Sequence, residues 1–195
     1  AKTVIGLLRA ERWLAAAACL AERARPLSRP NPAVGAIVVQ DGIVAGRGWT
    51  QPGGRPHAET VALAQAGEAA RGGTLYVTLE PCAHRSERGP ACADVIVSAG
   101  LARVVAGVAD PDPRTAGEGL VRLREAGIEA TCADDERCAE SLGGYLRSKV
   151  SGRPQTTLKL ALTADGFIAR KDGTSKWITG EAARAHVHRE RAHAD

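Results

Sequence analysis

The spacing of hydrophobic and polar positions changes several times along the chain and predicts alternating helices and strands. An Ala- and Leu-rich stretch over residues 4–24, with Arg and Glu between the apolar positions, predicts a helix that ends before Pro26 and Pro30. Two apolar runs separated by "QDG" in "AVGAIVVQDGIVAGRG" predict a β-hairpin. Further along, the pattern predicts helices over 57–69, 91–100, 117–127 and 135–150, and strands over 74–81, 102–110 and 128–133.

This order of elements predicts a layered α/β domain with a central sheet, because strands that alternate with helices usually lie side by side. The "SGRP" stretch at 151–154 has the composition of a junction. After it, "QTTLKLALTADGFIA" predicts a strand, and the following residues predict a turn and an exposed helix. One strand and one polar helix cannot bury a core of their own. Residues 151–195 are therefore either an appendage or the beginning of a second domain whose remainder is absent from this chain, and we expect the second.

Composition and charge narrow the classes of protein to consider. Hydrophobic residues make up 44% and charged residues 25% of the 195 residues, as in ordinary globular proteins. The net charge of +4 suits an anionic small substrate and is too small to indicate a nucleic-acid surface. Five unevenly spaced cysteines indicate reduced thiols, and no apolar run reaches transmembrane length. We expect a cytoplasmic protein that binds neither nucleic acid nor membranes; whether it forms a homo-oligomer is left open.

The stretch "GGRPHAETVAL" contains a His and a Glu at the start of a predicted helix. His57 and Glu59 are two residues apart, which corresponds to about 200° of rotation around a helix, so both cannot bind one metal ion from the same helix face. If His57 binds a metal, Glu59 is better placed as a neighbour that transfers protons. Taken alone, the pair is more typical of an ordinary helix start, where the dipole favours an acidic residue.

Two cysteines in "LEPCAHRSERGPAC" change that interpretation. Cys82 follows a predicted strand and a proline, and Cys92 lies in the first turn of the next helix. Either cysteine alone is most often a small buried apolar residue. Together with the His-x-Glu pair they form the general signature of zinc deaminases. The pattern predicts His57, Cys82 and Cys92 as three zinc ligands, an open fourth position for water, and Glu59 as the proton shuttle.

A purely structural zinc site that serves to bind a partner is a competing interpretation. Such sites usually have four protein ligands, whereas this signature offers three and an adjacent acid. Cys132 or Cys138 could supply a fourth ligand only if the fold brought one of them close.

The loop between the cysteines is longer than in the general signature. Nine residues separate Cys82 from Cys92 instead of two. A longer loop can still close on one ion, because each doubling of loop length costs only about 0.6 kcal/mol. The loop also adds polar groups beside the expected metal, namely His84, Arg85, Ser86 and Arg88.

Several longer stretches carry a more specific resemblance. They are "RPNPAVGAIVV", "HAETVAL", "TLYVTLEPCAH…GPACADVIV", "ARVVAGVADPDPRTAGEGLVRLREAGIEA" and "GRPQTTLKLALTADGFIA…SKWITG". Together they cover most of the chain from residue 29 onward. In these stretches the sequence resembles the bifunctional deaminase–reductase family of riboflavin biosynthesis.

The resemblance implies a fold class and an activity. It implies a three-layer cytidine-deaminase-like domain with a central sheet over residues 1–150, followed by the start of a dihydrofolate-reductase-like domain over 151–195. The implied reaction is the zinc-dependent hydrolytic deamination of 2,5-diamino-6-(5-phosphoribosylamino)pyrimidin-4(3H)-one. NADPH-dependent reduction of the ribosyl group is expected only of a protein with the whole reductase domain.

The resemblance also assigns individual positions. It implies zinc binding by His57, Cys82 and Cys92 and proton transfer by Glu59. In the deaminase part it places the substrate beside Asn31 and His84. We also expect substrate contacts from Thr50 and from Arg88, which lies on the longer Cys–Cys loop. In the reductase part it implies substrate contacts for Ser175 and Arg191 and NADPH contacts for Leu162 and Trp177.

Two departures from the family pattern concern how the phosphoribosyl group is held. Thr50 occupies the position of a family histidine, and the Cys–Cys loop is one residue longer than usual. A different zinc deaminase, acting on nucleosides, free bases or tRNA adenosine, is the alternative. The long Cys–Cys loop and the "GRP…TLKLALTADG" tail argue against that alternative.

Overall fold

A computed structural model of the chain describes residues 2–84 and 86–194, with side chains from residue 10 onward. The chain divides into two compact units, Ala1–Pro154 and Gln155–Asp195. The helices are α1 (Lys2–Ala21), α2 (Ala58–Ala66), α3 (Cys92–Ser98), α4 (Glu118–Glu125), α5 (Glu136–Ser141), α6 (Gly143–Ser151) and α7 (Glu181–His193). The strands are β1 (Gly35–Gln40), β2 (Ile43–Trp49), β3 (Thr74–Leu79), β4 (Arg103–Val108) and β5 (Glu129–Cys132).

The five strands form one mixed sheet in the order β2-β1-β3-β4-β5. Strand β1 pairs antiparallel with β2, which confirms the predicted hairpin, and antiparallel with β3 on its other side. Strands β3, β4 and β5 run parallel to one another. Because parallel strands end at the same edge of a sheet, the loops that follow β3 and β4 are neighbours there.

Alternate residues of the strands face two separate helix layers. One face of the sheet packs against α2, α3 and α4, and the other packs against α1 and α5. In β1, for example, Val38 belongs to the first apolar cluster and Ile37 to the second. This arrangement confirms the predicted three-layer α/β fold with a central sheet.

Helix α2 lies unusually close to strand β2 because two glycines of the strand face it. A Cβ atom added at Gly46 would lie 2.1 Å from the carbonyl oxygen of Ala62, and one at Gly48 would lie 2.1 Å from that of Ala58. Any larger residue would therefore force the helix backbone off the strand. This close approach fixes the first turn of α2, which carries His57 and Glu59.

Two predicted elements differ in the structure. The helix predicted over 135–150 is divided into α5 and α6, because Leu142 (φ −103°, ψ 6°) leaves helical geometry just before two glycines, which are poor helix formers.

The strand predicted for "QTTLKLALTADGFIA" is wrong: residues 155–163 pair with no other strand, and Leu158 is 80% exposed. A strand needs a hydrogen-bonded neighbour, and none of residues 155–194 is buried. The exposed helix near the end is confirmed as α7. Among the described residues, no helix is both long and apolar enough to cross a membrane.

Replacing Gly48 by Ala should lower the free energy of unfolding by about 1–3 kcal/mol, because the added methyl group meets the α2 backbone. Thermal and denaturant unfolding would measure the loss. Gly180→Ala is a matched control, since its φ of −69° is ordinary and nothing lies within 4 Å of the added Cβ position. Equal stability of the two variants would show that α2 can move away from β2 at no cost.

Candidate metal centre and substrate cleft

Three separate elements bring a histidine and two cysteines together at the edge of the sheet. His57 is the residue just before α2, Cys82 follows β3, and Cys92 is the first residue of α3. One potential ligand atom from each residue lies within 4.8 Å of the others. Within the described part of the chain, this is the one group of His, Cys, Asp and Glu side chains arranged to hold a metal ion.

The distances suit zinc. His57 Nδ1 lies 3.2 Å from Cys92 Sγ and 3.7 Å from Cys82 Sγ. With Zn–S near 2.3 Å and Zn–N near 2.05 Å, a tetrahedral site separates nitrogen from sulfur by about 3.6 Å. The observed distances bracket this value, so the three side chains fit a zinc ion with shifts of a few tenths of an ångström.

The surroundings of the two sulfurs favour a thiolate on Cys82. The Cys92 thiol and the backbone N–H of Cys92, at 3.3 Å, both hydrogen-bond to Cys82 Sγ. These bonds lower the pKa of Cys82 well below that of a free thiol. The hydrogen bond with Cys82, and then burial, raise the pKa of Cys92. Burial lowers the pKa of His57, but the hydrogen bond with Cys82 and the charges of Glu59 and Cys82 outweigh it and raise that pKa.

Glu59 lies beside this group but outside it. Its side chain is 3% exposed, and its Oε2 has no hydrogen-bond partner among the described residues. Burial raises the pKa of the Glu59 carboxyl group. A buried carboxylate oxygen without a partner is costly and needs an explanation. A polar ligand or water at the metal centre would supply the missing partner, so the donor set and Glu59 together fit a catalytic zinc site.

Asn31 contacts the outer side of the His57 ring. Its Nδ2 lies 3.3 Å from His57 Nε2 and 3.2 Å from the carbonyl oxygen of Gly54. Gly54 adopts φ +85°, and a Cβ there would lie 2.5 Å from Asn31 Cγ, so only glycine fits. The turn at Gly54 therefore holds Asn31 against His57, a contact that sequence reasoning missed.

Thr50 lines the same cleft, but its hydroxyl group already has partners. It donates to the carbonyl oxygen of Pro32 and accepts from the backbone N–H of Val34, both at 3.0 Å. The side chain is 2% exposed. Thr50 therefore holds the backbone that follows Asn31 and has little left to offer a substrate.

The Cys82–Cys92 loop places two predicted substrate residues at the cleft. His84 Nδ1 lies 3.5 Å from Thr115 Oγ1, and Arg88 Nη2 donates to the carbonyl oxygen of Gly53 at 2.6 Å. Arg85 lies outside the described residues.

The other candidate cysteines lie elsewhere. Cys138 is fully buried in the apolar cluster beneath α1, on the opposite face of the sheet from α2 and α3. Cys132 lies in β5 and contacts Asp134. Neither belongs to the metal group.

Two residues of the metal group, His57 and Cys82, line a cleft of about 280 Å³. The sequence did not predict the side of this cleft that is formed by the loop after β4 and by α6, here called the far wall. That wall carries charged and hydroxyl side chains that bond to one another: Asp110, Asp112, Arg114, Tyr145 and Lys149. Asp112 accepts from Arg114 and from Lys149, both at 2.7 Å, and these bonds, that from Arg114 first, hold its pKa well below the usual range. Asp110 accepts from the Tyr145 hydroxyl at 2.7 Å.

Residues 8–108 match the family described as "Cytidine and deoxycytidylate deaminase zinc-binding region". The chain belongs to this deaminase family. Residues 154–195 match a second family, the RibD C-terminal domain.

Similar proteins include the riboflavin biosynthesis protein RibD of Escherichia coli, which is 47% identical over 91% of this chain and 48% of its own length. Among solved structures, Acinetobacter baumannii RibD has a TM-score of 0.84 at 43% identity, over 95% of this chain and 52% of that chain. A diaminohydroxyphosphoribosylaminopyrimidine deaminase/5-amino-6-(5-phosphoribosylamino)uracil reductase from Thermotoga maritima has a TM-score of 0.88 at 37% identity, over 95% and 54%. The chain thus spans about half the length of these relatives.

Glu80, the glutamate of the "LEPC" stretch, lines the cleft and also holds together the backbone segments around it. Glu80 is 2% exposed, and its carboxylate accepts from the backbone N–H groups of Asp110 (3.2 Å), Gly117 (3.0 Å) and Leu120 (3.2 Å). It therefore ties the strand end that leads to Cys82 to the loop that carries Asp110 and to the start of α4.

The residues predicted for reduction lie in the second unit and are exposed there. Ser175, Arg191, Leu162 and Trp177 are all at the surface, and Trp177 is 69% exposed with the Arg184 guanidinium 4.3 Å from its ring centre. Their predicted roles stay predictions.

Replacing Glu80 by Gln should destabilise the deaminase unit by about 1–3 kcal/mol, because an amide NH₂ would then face backbone N–H donors that need an acceptor. Denaturant unfolding would measure the loss. Glu125→Gln, on the exposed end of α4, removes the same charge and should change stability by less than about 0.5 kcal/mol. A Glu80 variant as stable as this control would contradict the role assigned to Glu80.

Proposed function

We propose that this protein carries out the zinc-dependent hydrolytic deamination of 2,5-diamino-6-(5-phosphoribosylamino)pyrimidin-4(3H)-one, a step of riboflavin biosynthesis. The observation that carries the proposal is the group of His57, Cys82 and Cys92 with the buried, unpartnered Glu59 oxygen beside it. The choice of substrate is supported by the relatives, since the matched proteins are RibD proteins and one is described as a diaminohydroxyphosphoribosylaminopyrimidine deaminase.

In this proposal His57 Nδ1 and the sulfurs of Cys82 and Cys92 would hold zinc. When bound, zinc acts as a Lewis acid that makes water a nucleophile near neutral pH. Hydrogen bonds to Cys82 Sγ lower its pKa, which favours the thiolate that metal binding requires. Asn31 lies against the outer edge of the His57 ring, with its side-chain amide 3.3 Å from Nε2.

Glu59 transfers the protons of the reaction. Water adds to the ring carbon that bears the amino group, ammonia leaves, and a carbonyl group remains. The Glu59 carboxylate accepts the proton that water loses and donates it to the departing nitrogen. Its burial raises its pKa, which brings its proton affinity closer to what both transfers need at neutral pH.

Asn31, His84 and Arg88 are the residues proposed to position the substrate. Asn31 lies next to His57 and so beside the reacting ring, whereas His84 and Arg88 lie on the Cys82–Cys92 loop, where the ribosyl phosphate would extend. Deamination of an unphosphorylated nucleoside such as cytidine is the competing function, and it predicts no benefit from the phosphate group.

For the second unit we propose a part in NADPH-dependent reduction, with Leu162 and Trp177 contacting the cofactor and Ser175 and Arg191 contacting the substrate. The match of residues 154–195 to the RibD C-terminal domain supports this assignment. The proposal concerns proteins that have the full length of the matched relatives.

Two substitutions test the assignment of roles at the metal centre. Cys92→Ala should lose zinc because it removes a ligand, whereas Glu59→Gln should keep about one zinc per chain and lose roughly 10²–10⁴-fold in turnover. Elemental analysis and the rate of ammonia release measure the two effects. Cys138→Ala is the control for loss of a buried thiol and should retain zinc. Loss of metal from Glu59→Gln would make Glu59 a ligand and overturn the assignment.

A polypeptide of residues 1–195 should not oxidise NADPH in the presence of the deaminated substrate. The residues proposed to contact the cofactor are exposed, and none of residues 155–194 is buried. This part of the chain therefore offers no buried side chains that could form the wall of a cofactor pocket. Absorbance at the NADPH band measures the reaction, with a full-length relative as the positive control. Steady NADPH oxidation by the 195-residue chain would show that the second unit suffices.

A further inference from the structure

Among the described residues that line the cleft, four arginine and lysine side chains fall into two groups. Arg114 and Lys149, on the far wall, both bond to Asp112 at 2.7 Å. Arg55 and Arg88 lie on the near side, Arg55 just before α2 and Arg88 on the Cys82–Cys92 loop. The first pair therefore has a buried carboxylate between its members, and an anion that bound there would have to compete with it.

The second pair has no such carboxylate. Arg88 Nη2 donates to the carbonyl oxygen of Gly53 at 2.6 Å, and Arg55 Nη1 reaches the carbonyl oxygen of Pro90 at 3.4 Å. Each guanidinium thus contacts the backbone of the loop from which the other projects. Neither is in an ion pair with a carboxylate among the described residues. The long Arg55 contact leaves most of its five N–H donors available.

The hydrogen bonds of Thr50 leave Arg55 and Arg88 as the donors that a phosphate group on this side of the cleft would need. Thr50 stands where a phosphate-contacting side chain was predicted, but both of its hydrogen-bonding functions are taken by Pro32 and Val34. A phosphorylated substrate in this cleft therefore needs another donor. Two guanidinium groups can bind a phosphate through parallel N–H···O bonds, which are stronger than bonds between neutral groups.

We infer that Arg55 acts with Arg88 as the phosphate-binding pair of this cleft, and that Arg55 is a specificity-determining residue for phosphorylated over unphosphorylated substrates. The inference rests on the proposed deaminase function. It selects the Arg55 and Arg88 side of the cleft over the Arg114 and Lys149 side because both cations of the latter already bond to Asp112. The contacts of Arg55 and Arg88 are to backbone carbonyl oxygens instead.

Kinetics on matched substrates test the inference. For the phosphorylated pyrimidine, Arg55→Gln should lower kcat/KM by about 10-fold or more, mainly through KM, whereas the dephosphorylated analogue should change by less than about twofold. Arg55→Lys should recover part of the loss because it keeps the charge. Arg47→Gln, which removes an exposed arginine of β2 outside the cleft, is the control and should change neither substrate.

A binding measurement separates this inference from the proposed function. Inorganic phosphate, compared with chloride at equal ionic strength, should raise the Tm of the wild-type and Arg47→Gln proteins and raise that of Arg55→Gln much less. This readout does not depend on turnover, so failure of the wild type to deaminate either substrate would overturn the function alone. Equal losses on both substrates, or an unchanged phosphate effect in Arg55→Gln, would show that Arg55 only braces the two loops.

Discussion

The imidazole of His57 and the sulfurs of Cys82 and Cys92 must lie within bonding distance of one point, although each comes from a different element. The rest of the deaminase unit can be understood from this constraint. The parallel pairing of β3 with β4 fixes the edge of the sheet at which Cys82 emerges. The two glycines of β2 let α2 lie directly on the strand, and this contact positions His57, the residue just before that helix. A looser packing of α2 would leave three separate side chains instead of a chelating group.

The buried charges around the cleft are stabilised in different ways, and the differences indicate their uses. Glu80 is satisfied by backbone N–H groups, and Asp112 by two cations, so both hold the structure in place. Glu59 is as deeply buried as either, yet one of its oxygens has no partner in the described structure. Burying a carboxylate in this state costs stability. This unfavourable burial occurs at Glu59, the residue proposed to transfer protons.

Much of the architecture was predictable from sequence because each element of the first unit carries its own local signal. The hairpin followed from two apolar runs around "QDG", and the metal group followed from a spacing that has few other meanings. The sequence carried less information about which side chains of separate elements contact one another across the cleft. Asp110 and Asp112 follow a strand that proved parallel to β3, so their place at the sheet edge could have been inferred. Tyr145 and Lys149 could not, because nothing in α6 indicates which loop it faces.

The strand predicted after residue 154 failed for a different reason. Alternating leucines indicate a strand with one apolar face that packs against another part of a protein. The pattern does not show which strand or helix that part is. Residues 155–163 keep the alternation but have no neighbouring strand within the described chain. Local pattern therefore sufficed in the first unit, where each strand has its neighbours.

The closeness of Cys82 and Cys92 has a further consequence for the chemistry of the thiols themselves. The two sulfurs lie within 4.8 Å of each other, and a two-electron oxidant that joined them would act on the same atoms that bind the metal. Metal and oxidant thus compete for the same two atoms. A disulfide between the two sulfurs would remove both thiolate ligands, so metal binding at this centre requires that the pair stay reduced.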